Sequence, residues 1–213
     1  MNYRLVIFDW DGTLMDSVDR IVSSMQASAQ ACALPIPEAS AVRNIIGLSL
    51  YKALPLLFGA LTASQNEQLL QVYRRYYMEL DNTPAPLFSG ATELIKDLHQ
   101  RGYQLAVATG KQRAGLDQVL METQLTEYFH ALRGADQAVS KPDPLMLQQI
   151  LDELNVSASE AVMVGDSSYD LAMAQAIAMP RIGVTYGVHD APRLQQHQPV
   201  ALIDDIRQLR QWV

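Results

Sequence analysis

Residues Val6 to Ser17, VIFDWDGTLMDS, decide how this chain reads. Three apolar residues run into Asp9 and Asp11, with Trp10 between them and Gly12-Thr13 directly after. A short apolar run without alternation is the pattern of a strand buried on both faces, so residues 5–8 are expected to form one. Two aspartates at its end repel each other unless a cation offsets them. Gly12 lets the chain turn sharply after them, and Trp10 is expected to contribute its backbone and to pack outward. Alone, Asp-Gly-Thr is more often a turn than a reactive element. The rest of the chain must therefore supply partners.

Similar apolar runs follow at residues 104–109 (QLAVAT), 130–134, 161–165 (AVMVG), 181–185 (RIGVT) and 200–203. Helical patterns lie between them. Residues 90–101 place Ala91, Leu94, Ile95 and Leu98 on one face, and residues 144–154 carry Leu145, Leu147, Ile150, Leu151 and Leu154. Alternating strands and helices predict an α/β fold, a Rossmann-like parallel sheet covered on both faces. Residues 16–80 break the alternation. They hold helical patterns at 18–33 and 65–80 and an apolar stretch at 48–58 interrupted by Pro55, and then a Pro-containing linker at 81–86. The expected division is a core of residues 1–15 and 84–213, with an all-helical insert over 16–83.

In an open parallel sheet, ligands bind beyond the carboxyl ends of the strands. The first strand delivers Asp9 and Asp11 there. The second delivers Thr109, Gly110 and Lys111, and the fourth delivers Asp166 and then Asp170. Between the third and fourth comes Ser140-Lys141-Pro142-Asp143-Pro144. Four carboxylates brought together need a compensating cation, and oxygen ligands suit a hard ion such as Mg2+. Asp166 and Asp170 stand four residues apart, so a helix starting near Asp166 puts both on one face. A lysine beside such an ion makes a site for a dianionic phosphate.

Bulk properties narrow the setting. The 213 residues are 49% hydrophobic and 18% charged, which suits a soluble domain with a sizeable core. Sixteen Lys and Arg against 23 Asp and Glu give a net charge of -7. That argues against nonspecific binding to nucleic acid or an anionic membrane. The single cysteine, Cys32, allows no intrachain disulfide and is expected to be a packing residue. No signal-like segment and no run of roughly 18 apolar residues occurs, so the cytoplasm is the expected location. His99, His130, His189 and His197 lack metal-ligand spacing and read as surface or packing residues.

The segments DWDGT, VATGK, SKPDP and GDSSYD, in that order, resemble the four motifs of the haloacid dehalogenase-like hydrolase superfamily. The likeness runs over nearly the whole chain and points to the branch of phosphoglycolate phosphatase and β-phosphoglucomutase, with a helical cap after the first motif. It implies that Asp9 is a nucleophile that forms an aspartyl-phosphate and that Asp11 is a general acid and base. Mg2+ would be held by the Asp9 carboxylate, the Asp11 carbonyl and Asp166, with Asp170 in support. Thr109, the Gly110 amide and Lys141 would bind phosphate, and residues 13–17 would form the hinge to the cap. The implied activity is hydrolysis of a small phosphorylated metabolite; the alternative is a β-phosphoglucomutase-like sugar phosphomutase. A monomer is the default expectation, since nothing in the sequence reads out the oligomeric state. Dehalogenases and phosphonate-cleaving members replace the second aspartate, and a non-catalytic relative would lack Asp9 or Lys141. All three residues are present here.

Two positions depart from the family pattern. Gly110 stands where relatives often have Asn, and Ala178 where Gly is common. In the insert, Arg43, Lys52, Arg74 and Arg75 are candidates for reading a second anionic group. Residues 47–49 (Gly-Leu-Ser) are expected to form a loop facing the substrate.

Overall fold

A computed structural model describes residues 3–213. In chain order the elements are β1 (Leu5–Phe8), α1 (Val18–Ala31), α2 (Ala39–Ile45), α3 (Leu50–Phe58), α4 (Ala63–Arg75), α5 (Ala91–Gln100), β2 (Gln104–Ala108), α6 (Arg113–Glu122), β3 (Ala131–Arg133), α7 (Leu145–Leu154), β4 (Ala161–Gly165), α8 (Ser168–Gln175), β5 (Arg181–Val184), α9 (Ala191–Gln195) and β6 (Ala201–Ile203). The strands make one parallel sheet in the order β3-β2-β1-β4-β5-β6. The α/β class expected from the alternating pattern is the one observed.

Side-chain alternation divides the core into two layers. Val6 and Phe8 of β1 join Leu105 and Val107 of β2 and Val162 and Val164 of β4 on one face, under α5 and α6. Leu5, Ile7, Ala106, Ala108, Ala161 and Met163 face the other way, against α7 and α8. Burial on both faces is why these strands read as continuous apolar runs. Trp10 corrects the sequence reading. It is fully buried in the first layer, edge-on to Phe129 at 6.4 Å between ring centres, and its Nε1 donates to Met15 Sδ at 3.4 Å. The turn after β1 folds back, with the Trp10 carbonyl accepting from the amides of Leu14 and Met15. The ring continues the alternation of Val6 and Phe8 and lies with them in the first layer.

Between β1 and β2 the chain is helical and carries its own apolar cluster. This cluster joins Val18, Ile21, Val22 and Met25 of α1 to Val42, Ala53, Leu54, Leu69, Leu70 and Tyr73, with Cys32 packed at its edge. The stretch at 48–58 is a helix despite Pro55. Pro55 removes one amide donor from a short exposed helix, which apolar packing on its inner face offsets. After α4 the chain widens into a π-helical turn, Tyr76–Leu80, closed by the Asp81 amide on the Tyr76 carbonyl at 2.8 Å. Asp81 is a hub as well as a linker residue. It accepts from the hydroxyls of Ser23 and Ser24 on α1 and from the Thr83 amide. Against the cost of burial, these bonds hold its carboxyl down at about 2. Among the described residues, no helix is long and apolar enough to cross a membrane.

Candidate active site

The carboxyl ends of β1, β2 and β4 bring Asp9, Thr109 and Asp166 to one edge of the sheet, all almost fully buried. Gly12 makes this possible. It adopts φ +83°, and a side chain there would strike the Asp166 carboxylate. Thr13, one residue on, donates from its hydroxyl to Asp166 Oδ1 at 3.0 Å, and the Val188 amide donates to Oδ2 at 2.9 Å. Both oxygens of Asp166 are thus fixed in direction.

Helix α8 starts two residues later than Asp166. Ser167 is its cap, in a reciprocal capping box with Asp170: the Asp170 amide donates to Ser167 Oγ, and the Ser167 amide and hydroxyl donate to Asp170 Oδ2 at 3.1 and 2.6 Å. The other oxygen, Oδ1, accepts from Lys141 Nζ at 2.6 Å. Lys141 arrives from the loop before α7, is fully buried, and lies 2.9 Å from Asp9 Oδ1. Burial alone would discharge this lysine, but Asp170 and Asp9 raise its pKa well above the ordinary value and keep it charged.

Asp9, Asp166 and Asp170 present oxygens within 4.8 Å of one another. Three carboxylates against the single ammonium of Lys141 leave the cluster short of two positive charges. The strain is visible in the acids. Burial pushes Asp9 up to about 7 against the pull of Lys141, with Asp170 adding to the rise. Burial, Asp9 and Asp170 push Asp166 well above the carboxylate range. A buried, under-compensated cluster of carboxylate oxygens fits a divalent cation with oxygen ligands. Asp9 and Asp166 are the residues placed to hold one. Asp170 is committed to Lys141 and to its helix cap.

Asp11 faces away from this cluster. Its Oδ1 accepts from Ser17 Oγ at 2.7 Å, and Oδ2 pairs with Lys111 Nζ at 3.1 Å. Lys111 also donates to Tyr77 Oη at 3.3 Å and sits over the Tyr77 ring, 4.6 Å from its centre. The sequence delivered Lys111 to the strand end without assigning it a partner. Tyr77 has no sequence signal, because its role depends on how the helical insert lies over the sheet, and Ser17, expected only as part of the hinge, donates to Asp11. Thr109 is 1% exposed, and its hydroxyl accepts from the Lys111 amide at 3.2 Å.

Gly110 explains its departure from the family pattern. A Cβ there would lie 2.6 Å from the Gly47 carbonyl oxygen and 2.8 Å from that of Leu48. The loop at 47–49 occupies the space an Asn side chain would need. That loop is also tied at Ser49, whose amide donates to Ser140 Oγ at 2.9 Å. Further ties between insert and core are Tyr169 Oη to the Asn44 carbonyl and Arg74 to Gln112 Oε1. Of the four cationic candidates in the insert, only Arg74 reaches the cavity above Asp9 and Asp11. Arg43 is paired with Asp19 at 2.6 Å and Arg75 with Glu79 at 3.9 Å.

Comparison with known proteins agrees with this geometry. Residues 6–184 match the model of the haloacid dehalogenase-like hydrolase family. The chain is 36% identical over 208 residues to "Probable phosphatase IndB" of Dickeya dadantii, covering 94% of this chain and 89% of that protein. It is 27% identical over 215 residues to a phosphoglycolate phosphatase of Vibrio vulnificus, covering 97% and 94%. A solved haloacid dehalogenase-like hydrolase from Bacteroides fragilis superposes with a TM-score of 0.89 at 25% identity, over 97% of this chain and 99% of that one. With its four strand-end motifs gathered at one sheet edge and a likeness that runs through the core and the insert alike, the chain belongs to the haloacid dehalogenase-like hydrolase family.

Proposed function

We propose that this protein is a phosphatase that hydrolyses a small-molecule phosphomonoester with Mg2+ at the Asp9 cluster. The observation that carries the reading is the buried set of Asp9, Asp166 and Asp170 around Lys141, short of two positive charges. The relatives named phosphatase and phosphoglycolate phosphatase support the same class. In this reading Asp9 attacks phosphorus, and the leaving oxygen takes a proton from Asp11. An aspartyl-phosphate remains on Asp9, and Asp11 then removes a proton from the water that releases it. Lys141, the Thr109 hydroxyl and the Gly110 amide hold the phosphoryl oxygens. Asp9, the Asp11 carbonyl and Asp166 would hold the ion, while Asp170 keeps Lys141 in place. When bound, Mg2+ neutralises charge between the carboxylates and the phosphoryl group.

Residues 16–83 act as a cap over the core of residues 1–15 and 84–213. Side-chain hydrogen bonds across the seam, such as Ser49 to Ser140 and Arg74 to Gln112, suit a lid that opens for substrate and closes to exclude water. The Lys111–Tyr77 contact ties that closure to Asp11. The test is phosphate release from a panel of phosphomonoesters with and without Mg2+, comparing wild type with Asp9→Asn and Lys141→Met. Release that needs the ion and is lost in both variants is expected. Release that survives in Asp9→Asn removes the nucleophile assignment.

A further inference from the structure

The space into which a leaving group must extend is defined by the fold. A cavity of about 360 Å3 begins at Asp9 and Asp11 and runs into the helical insert, within the range of small-molecule sites. Beyond the carboxylates its wall is apolar and aromatic, formed by Ile21, Met25, Ile45, Leu50, Tyr73 and Tyr77. Five of these six, all but Leu50, are drawn from the insert's own buried core on three different helices and the π-helical turn, so the wall is built into its packing. The Tyr73 and Tyr77 rings stand 6.0 Å apart at 31° and line one side.

Charge is scarce above the reacting end. Among the described residues lining the cavity, the cations are Lys111 and Arg74. Lys111 is consumed by Asp11. Arg74 is solvent-exposed and bonded to Gln112, a rim position. A two-carbon acid such as phosphoglycolate would leave most of the cavity unfilled and its carboxylate without a buried cation. Apart from the half-buried Gln112 and Gln118 and the hydroxyls of Tyr73 and Tyr77, the lining beyond the reacting end offers a sugar few partners, so hydroxyls facing Ile21, Met25 and Leu50 would be left unpaired, and unpaired buried polar groups are costly.

We propose, resting on the phosphatase reading above, that the substrate is a phosphomonoester with a bulky apolar or aromatic alcohol as leaving group. The phosphate sits at Asp9 and the apolar body fills the cavity under α1, α3 and the Tyr73–Tyr77 wall. Selectivity then comes from transfer of apolar surface out of water, which is graded with size.

The experiment is a kcat/KM series with the Mg2+-saturated protein. Straight-chain alkyl phosphates from methyl to hexyl and 1-naphthyl phosphate are compared with phosphoglycolate, glucose 6-phosphate and β-glucose 1-phosphate. The expected result is a rise of roughly fourfold per added methylene until the cavity fills, with 1-naphthyl phosphate above all three polar substrates. Leu50→Gln, a half-buried position at the start of α3, should lower the ratio of 1-naphthyl phosphate to phosphoglycolate severalfold. A flat alkyl series, or a preference for phosphoglycolate or a hexose phosphate, overturns the inference and leaves the phosphatase reading standing. Absence of Mg2+-dependent release from every compound overturns the phosphatase reading, and the inference with it.

Discussion

Asp9→Asn should destroy turnover and, without metal, make the protein more stable. In the folded chain the Asp9 carboxyl is pushed by burial from 3.8 to about 7, even with Lys141 beside it. A carboxyl whose pKa rises on folding binds its proton more tightly in the native state. Stability therefore falls as pH climbs from about 4 to about 7 and stays low above that. A rise of that size corresponds to about 4 kcal/mol at neutral pH, and an amide resembles the neutral acid in shape. Allowing for imperfect mimicry, Asn should recover on the order of 2–4 kcal/mol, or about 5–15 °C in Tm for a chain of this length. The assay is thermal unfolding in EDTA at pH 7.5 and at pH 4, and again with Mg2+ at pH 7.5. The gain should be full in EDTA at pH 7.5, nearly absent at pH 4, and reduced by Mg2+, which stabilises the wild type more than the variant. A Tm for Asp9→Asn equal to or below wild type in EDTA at pH 7.5 would refute the charge argument on which the site is built.

Three further outcomes follow from other parts of the molecule. Gly110→Asn, which restores the common family residue, should push the loop at 47–49 off the core and lower kcat/KM by about 10- to 100-fold with the fold intact; full activity would show that the loop yields freely. His189 is buried, its Nδ1 accepts from the Ser168 amide, and desolvation followed by Arg193 lowers its pKa from 6.5 to about 4. The unfolded chain takes the proton first, so the contribution of His189 to stability falls as pH drops from about 6.5 to about 4, opposite in sign to that of Asp9. Denaturant titrations at both ends should show His189→Gln gaining stability relative to wild type at pH 4 and not at pH 6.5, and an identical pH dependence in the two proteins would assign the effect elsewhere. Ala178 is exposed at φ +52° after α8, a conformation that costs a Cβ-bearing residue about 1–2 kcal/mol. Ala178→Gly should raise Tm by a few degrees without changing activity; an unchanged or lower Tm would show no strain there.

The sheet and its edge were legible in the sequence because local pattern and global role coincide there. Leu5 to Phe8 are buried on both faces, so no alternation blurs the run, and Asp9 follows at the point where a ligand must sit. Lys141 and Asp170 are placed near the sheet edge by motif, and the fold brings them to 2.6 Å of each other. What escaped were relations across the chain fold. Trp10 is expected outward because it stands between two carboxylates beyond the strand, whereas it continues the alternation of Val6 and Phe8 and lies with them in the first core layer. Lys111 was visible, but its partner Tyr77 lies 34 residues earlier on the π-helical turn, and no local period signals that approach. The departure at Gly110 is visible in the sequence, but its reason, the carbonyls of Gly47 and Leu48 in the space a side chain would need, is not.

The central claim, that Asp9 carries the phosphoryl group, is tested most directly by trapping it. The Mg2+-loaded protein would be mixed with a turning-over phosphomonoester, quenched, and reduced with borohydride, which converts an aspartyl-phosphate to homoserine. The peptide spanning Val6 to Ser17 would then be sequenced by mass spectrometry. The account predicts homoserine at position 9, dependent on substrate and Mg2+. Sustained turnover with Asp9 recovered unmodified, or with homoserine at another aspartate, would contradict it.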